Sequence, residues 1–187
     1  MGHPVAQSRS PMLHGYWLKQ LGIAGEYLRQ DVAPDGFAAF FKGFQAQGYV
    51  GGNVTAPHKQ AALQAVARAD AAATQIGAVN TIWTEHGELV GGNTDAHGFI
   101  ANLDDRAPGW QDNAQHAVLL GAGGAARAAI FALRARGIAI TLVNRTLDHA
   151  RTLAAHFNAM PGPVVSICPA GPFCNGINGV APSVQIK

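Results

Sequence analysis

Charge is scarce in this chain: of 187 residues only 13% are Asp, Glu, Lys or Arg, and thirteen basic against eleven acidic side chains leave a net charge of +2. A typical globular chain carries about 25% charged residues. No block of like charge stands out, which argues against a nucleic-acid-binding face. Cysteine is scarcer still. Cys168 and Cys174 are the two present, too few for a disulfide framework and without the spacing of zinc ligands, so no metal site is expected. No apolar run approaches the roughly 18 residues that cross a bilayer. The opening Met1-Gly2-His3-Pro4 has neither the basic nor the apolar region of a secretory leader, and a soluble, cytoplasmic protein is expected. Against these shortages stands a 48% hydrophobic content, enough to fill a core and to exclude disorder. Glycine (23 residues) and proline (10) are in excess, which predicts many tight turns or close approaches of backbone to ligand. At about 150 residues per domain the length gives one large domain or two small ones.

In the first half, Ser10 is placed to N-cap a helix with Pro11 at its first position, and Leu13, Trp17, Leu18 and Leu21 fall on one face at helical spacing. A strand is predicted over Glu26 to Val32 and a turn at Pro34-Asp35-Gly36. A second helix follows from Phe37 to Gln47, with Phe37, Phe40, Phe41 and Phe44 as its apolar stripe. An alanine-rich helix is predicted to about Ala69, then a hairpin of Ala78 to Thr84 and Leu89 to Asn93 turning at Glu85-His86-Gly87. Alternating helices and strands argue for an α/β layer. Three segments are rich in polar side chains beside glycine or proline: Ser8-Arg9-Ser10-Pro11, Gly52 to Lys59, and Ala78-Val79-Asn80-Thr81 with Gly92-Asn93-Thr94-Asp95. Each is placed to follow a strand end, where α/β sheets collect ligand groups. Together they offer hydroxyls, carboxamides, one ammonium and one carboxylate, which suits a small polyhydroxylated anion. Singly, each also reads as an ordinary cap, turn or surface residue.

A polar, turn-rich stretch from Asn102 to Gln115 reads as a linker. Beyond it His116-Ala117-Val118-Leu119-Leu120 has the form of a buried parallel strand and runs directly into Gly121-Ala122-Gly123-Gly124-Ala125-Ala126. Gly121, Gly123 and Ala126 fit G-x-G-x-x-A. A helix Ala125 to Arg136 and a strand Ile138 to Val143 complete a βαβ unit of dinucleotide-binding size. The glycines permit a tight turn and close approach of the backbone to a pyrophosphate lying at the helix N-terminus. After the second strand an acid would favour NAD. The sequence there is Asn144-Arg145-Thr146, and the Arg145 guanidinium suits the 2′-phosphate of NADP.

Pro4 to His14, Gly52 to Lys59, Gly77-Ala78-Val79-Asn80-Thr81, Gly92 to Asp95, Gly121 to Ala125 and Asn144-Arg145-Thr146, in this order and spacing, resemble the shikimate dehydrogenase family over about residues 2 to 150. The resemblance implies an N-terminal α/β substrate domain (1–103) and an incomplete Rossmann NADP-binding domain (104–187, with the tail from about 169 unassigned). The active site would lie in the cleft between them. It implies NADP-dependent, reversible reduction of 3-dehydroshikimate to shikimate, in aromatic amino-acid biosynthesis, by a monomer or homodimer with no nucleic-acid or membrane partner. Carried over by position, Ser8 and Ser10 bond the substrate carboxylate, Asn53, Thr55 and Asn80 hold the ring and its hydroxyls, and Lys59 and Asp95 form the catalytic pair. Gly121, Ala122, Gly123, Gly124, Ala125, Asn144, Arg145 and Thr146 hold the nucleotide. Which of Lys59 and Asp95 moves the proton stays open. Gly52, Gly92, Gly121, Gly123 and Gly124 fall where backbone would approach ligand.

The chain also departs from the family pattern. The strand expected before Gly2, the loop beside the nicotinamide and the C-terminal helices have no counterpart, and Cys174 to Lys187 matches nothing expected of the family. Gly15 stands where Asn is usual, and His149 where a basic residue supports the 2′-phosphate. Two further readings follow: a truncated, catalytically inactive fragment, and a quinate/shikimate dehydrogenase using NAD.

Overall fold

The computed structural model describes residues 1–169 and divides into two compact units, Met1–Asn93 and Thr94–Lys187.

In the first unit α1 (Ser10–Gln20) follows an extended opening, and a 3-10 turn (Pro34–Gly36) leads into α2 (Phe37–Lys42). Then come β1 (Gly51–Asn53), α3 (Lys59–Ala65), β2 (Arg68–Ala69), α4 (Ala71–Ile76), β3 (Thr81–Glu85) and β4 (Glu88–Gly92). The sheet order is β1-β3-β4-β2, antiparallel except for the β2/β4 pair. Between β3 and β4 the turn residues His86 (φ 51°) and Gly87 (φ 82°) both take the left-handed backbone that two-residue hairpins require. The core is built on Phe37, Phe41, Phe44, Val54, Val79 and Ile82; the helix expected to Gln47 ends at Lys42, with Phe44 in the turn beyond it and Phe40 only partly buried.

Four differences from the sequence reading have physical causes. Ser10 is the first residue of α1, not its cap; the Ser8 hydroxyl accepts from the Ser10 N–H at 3.3 Å. Leu13, Trp17 and Leu21 remain 46%, 47% and 70% exposed, so the apolar face of α1 is not core among the described residues. Over Glu26 to Val32 only Asp31 bridges, in parallel with Gly2. The helix predicted to Ala69 stops at Ala65, where Val66 turns extended (ψ 148°), and the chain enters β2 beside β4.

The opening residues position the first candidate site. Met1 to His3 lie between two segments: Gly2 exchanges bonds with Gln30 O (3.2 Å) and the Val32 N–H (2.9 Å), while the Thr55 N–H donates to Met1 O at 2.9 Å and the His3 N–H to Ala56 O at 3.0 Å. Gly92 has a packing role. A Cβ there would lie 2.7 Å from Asp70 Oδ2 and 3.2 Å from the Trp83 ring, so its glycine is required by neighbours within the fold.

The second unit comprises α5 (Asp95–Arg106), β5 (His116–Leu120), α6 (Gly124–Ala135), β6 (Ala139–Asn144), α7 (Leu147–Asn158) and β7 (Val165–Pro169). Its sheet, β5-β6-β7, is parallel throughout, and α6 and α7 are its crossovers. Ile130, Leu133, Ile140, Leu142, Leu153 and Phe157 form the core between helices and sheet. The stretch from Asn102 is not all linker: α5 runs to Arg106 and packs on α6. That helix also accounts for the difference between the boundary expected at 103 and the division at Asn93. Arg134, buried in α6, donates to the carbonyls of Phe157, Met160 (2.9 Å) and Pro163 (2.8 Å), which fixes the connection from α7 to β7. Cys168 is disulfide-bonded, which the count of two cysteines does not anticipate. No helix among the described residues is long and apolar enough to cross a membrane.

Candidate functional sites, one in each unit

In the first unit Ser8, Ser10, Asn53 and Thr55 line one cavity of about 250 Å³, together with Tyr27, Arg29 and Gln30. Ser8 is held there by its neighbours: its N–H donates to Val5 O at 3.0 Å, and the Arg29 guanidinium forks onto its carbonyl at 2.9 and 2.7 Å. The Ser8 hydroxyl accepts from the Ser10 N–H at 3.3 Å, at the start of α1. Asn53 stands at the end of β1, directly across from Thr81 in β3. Its carboxamide is tied at both ends: Oδ1 accepts from the Tyr27 hydroxyl at 2.5 Å, and Nδ2 donates to Thr81 Oγ1 at 3.2 Å. Burial pushes the Tyr27 phenol above its ordinary range, so at neutral pH it is a donor. Asn80 does not line the cavity, but its Oδ1 accepts from Thr81 Oγ1 at 2.9 Å. Tyr27 and Arg29 are cavity residues that sequence reasoning missed. Both lay within the predicted strand, and nothing in an alternating pattern marks a strand residue whose partner is distant in sequence.

Lys59 opens α3, half-buried, and its carbonyl accepts from the Val79 N–H at 2.8 Å. That bond joins the lysine's backbone to the strand-entry segment carrying Asn80. Asp70 caps α4, accepting from the Ala73 N–H at 2.6 Å, and also accepts from the Asn93 N–H at 3.3 Å. Asn93 in turn donates to Ala78 O at 2.8 Å. The two Asn-containing segments are thus bound to each other. Asp95 belongs to the second unit, as the first residue of α5, with Thr94 as the cap.

In the second unit β5 ends at Leu120 and the chain turns through Gly121, whose φ of +108° favours glycine. Gly123 caps α6 with no side-chain cap bond, and the first turn contains no acid. A Cβ at Gly121 or Gly123 would meet nothing within 4 Å. The space beside the turn is thus open on the Cβ side of both glycines, and a helix N-terminus without a side-chain cap is of the kind that accommodates a phosphate. The Asn144 carboxamide shapes the turn from within: Oδ1 accepts from the Ala122 N–H at 3.2 Å and Nδ2 donates to Thr146 O at 2.6 Å. Arg145 and His149 are exposed beside it. A separate cavity of about 270 Å³ is lined chiefly by apolar side chains, among them Phe99, Leu103, Trp110, Ala126 and Leu133, and also by His116, whose Nε2 is hydrogen-bonded to Thr141 Oγ1 at 2.9 Å. Among the described residues no cluster of His, Cys, Asp or Glu is arranged to hold a metal.

Known proteins combine these two sites. The model of the shikimate dehydrogenase substrate binding domain matches residues 1–82, and that of shikimate/quinate 5-dehydrogenase matches residues 106–167. A shikimate dehydrogenase (NADP(+)) of Azorhizobium caulinodans is 56% identical over 164 residues, covering 87% of this chain and 58% of the relative. The chain thus spans little more than half the length of this curated relative. The Thermus thermophilus shikimate 5-dehydrogenase in complex with shikimate superposes with a TM-score of 0.76 at 33% identity, over 98% of this chain and 70% of that one. A 5-ketofructose reductase of a Gluconobacter strain, at 35% identity and a TM-score of 0.73, covers 89% of this chain and 59% of its own. The glycine turn on a parallel sheet, the Ser-Asn-Thr cavity on a mixed sheet, and the agreement of sequence and backbone with the Thermus enzyme establish that this chain belongs to the shikimate dehydrogenase family.

Proposed function

We propose that the chain serves an NADP-dependent shikimate dehydrogenase reaction, the reversible interconversion of 3-dehydroshikimate and shikimate. The observation that carries this reading is the convergence of Ser8, Ser10, Asn53 and Thr55 on one cavity. Two hydroxyls at the start of a helix suit a carboxylate, and carboxamide and hydroxyl groups suit ring hydroxyls. The Thermus relative is also known in complex with NADP(H) and shikimate together, which supports this pair of ligands. In this reading Ser8 and Ser10 bond the substrate carboxylate, while Asn53, Thr55 and Asn80 orient the ring. Lys59 and Asp95 hold and move the hydroxyl proton. The open helix end at Gly121 to Ala125 takes the pyrophosphate, and the exposed Arg145 forks onto the 2′-phosphate. NADP, when bound, accepts or returns the hydride.

The test follows reduced-nicotinamide absorbance with purified protein whose folding is verified by circular dichroism, using shikimate or quinate with NADP or NAD. Turnover with shikimate and NADP, lost in Lys59→Ala with a small change in shikimate affinity, is the expected result. Faster turnover with quinate and NAD would replace the reading by the quinate one. A cooperatively folded chain without turnover would refute it in favour of a catalytically inactive chain.

A further inference from the structure

Among the described side chains that line the cavity of the first unit, Arg29 alone is charged at neutral pH. Its guanidinium is committed on one edge: Nε and Nη2 both donate to Ser8 O, at 2.9 and 2.7 Å. A carbonyl oxygen accepts these bonds without balancing the charge, and no carboxylate among the described residues pairs with Arg29. Of the five N–H donors of a guanidinium, the fork onto Ser8 spends the Nε edge. It leaves the end-on edge, one N–H from each terminal nitrogen, whose spacing matches the two oxygens of a carboxylate. Ser8 and Ser10 line the same cavity, but their hydroxyls are neutral and can hydrogen-bond an anion without compensating its charge.

We propose that Arg29 is a specificity-determining residue of this site, whose charge selects a ligand carrying a carboxylate over a neutral ligand with the same ring. The proposal rests on the reading above that Ser8 and Ser10 receive the carboxylate of a ring acid, and it adds the cation that the two serines lack. Ser8 links the two functions. Its carbonyl accepts the Arg29 fork, and its hydroxyl belongs to the pair assigned to the carboxylate, so the guanidinium is tied to the anion end of the cavity before any ligand binds. That tie lowers the ordering cost a long, flexible side chain would otherwise incur on pairing. Arg29 is exposed, so solvent and salt screen its charge, and its effect on affinity is modest.

The experiment is calorimetric titration of the full chain with three ligands: shikimate, its neutral methyl ester, and cyclohex-1-ene-1-carboxylate, which keeps ring and carboxylate but has no hydroxyls. Arg29→Gln should weaken both acids about fivefold and the ester less than about twofold. Arg29→Lys keeps the charge without the fork onto Ser8 and should bind the acids with affinity between wild type and Arg29→Gln. Equal losses for acid and ester would mean that Arg29 acts only by holding Ser8, and would overturn the proposal. So would an unchanged affinity for the acids, or an Arg29→Lys protein as weak as Arg29→Gln. Arg29-dependent binding of the hydroxyl-free acid without binding of shikimate would uphold the carboxylate selection and refute the ring assignment. Failure of the wild-type chain to bind either acid would refute the reading of the site, and the proposal with it.

Discussion

The two glycines of the turn before α6 differ in a way that separates folding from the proposed phosphate binding. Gly121 has φ +108°, whereas Gly123 has φ −84° and ψ −173°, a backbone open to any residue. A methyl group at either would meet nothing within 4 Å. Gly123→Ala therefore causes neither strain nor clash. Restricting the unfolded chain contributes about 0.4 to 1 kcal/mol of stability. The poorer N-cap propensity of alanine costs roughly as much. Stability should stay within about 0.5 kcal/mol of wild type. Nucleotide affinity behaves differently, because the added methyl occupies the space a phosphate needs in order to reach the helix N–H groups. Loss of one or two such bonds corresponds to about a 10- to 100-fold rise in Kd for NADP. Gly121→Ala should lose the same affinity and, in addition, about 1 to 3 kcal/mol of stability from backbone strain. Urea unfolding followed by circular dichroism, paired with calorimetric titration of NADP, measures both quantities. A Gly123→Ala protein that binds NADP as wild type does would refute the phosphate assignment. One as destabilised as Gly121→Ala would refute the strain argument.

Arg134→Met retains the buried methylenes but leaves the carbonyls of Phe157, Met160 and Pro163 without their donor; it should cost about 2 to 3 kcal/mol, and a loss below about 1 kcal/mol in urea unfolding would contradict this. The hydrogen bond from His3 holds the Asp31 carboxyl below its ordinary range. A carboxyl so depressed adds stability above its unfolded pKa that is lost as pH falls through the folded one. Carboxyl NMR titration should therefore find Asp31 titrating low, rising in His3→Ala; an unchanged midpoint in that variant would contradict the assignment.

How much of this was legible beforehand differs between the units for a physical reason. The segment from His116 to Asn144 was readable because a buried strand, a glycine turn and an amphipathic helix follow each other locally, each with its own period, and its strand and helix bounds fell within a residue of those observed. By contrast the alanine-rich helix expected to about Ala69 overran α3 into β2, and α4 was not predicted. What separates them is the extended Val66, the short pairing of β2 with β4, and the Asp70 cap. The apolar stripe of α1 was visible, but periodicity marks a face without saying what covers it, and Leu13 and Trp17 are about half exposed. The helix α7, whose face carries Leu153 and Phe157 into the core, was not predicted. Ser8, Ser10, Asn53 and Thr55 were identified from a family resemblance, and the cavity brings them together. Tyr27 was not, because its significance lies in a bond to Asn53 across 26 positions of sequence.

The central claim is that one ligand belongs to each unit. Amide NMR of the labelled chain tests it most directly, titrated first with shikimate and then with NADP. Shikimate should shift the resonances of Ser8, Ser10, Asn53, Thr55 and Asn80, and NADP those of Gly121 to Ala126 and Asn144 to Thr146. If shikimate leaves the first set unmoved, or if NADP perturbs residues within Met1–Asn93 but not the glycine turn, the account is wrong.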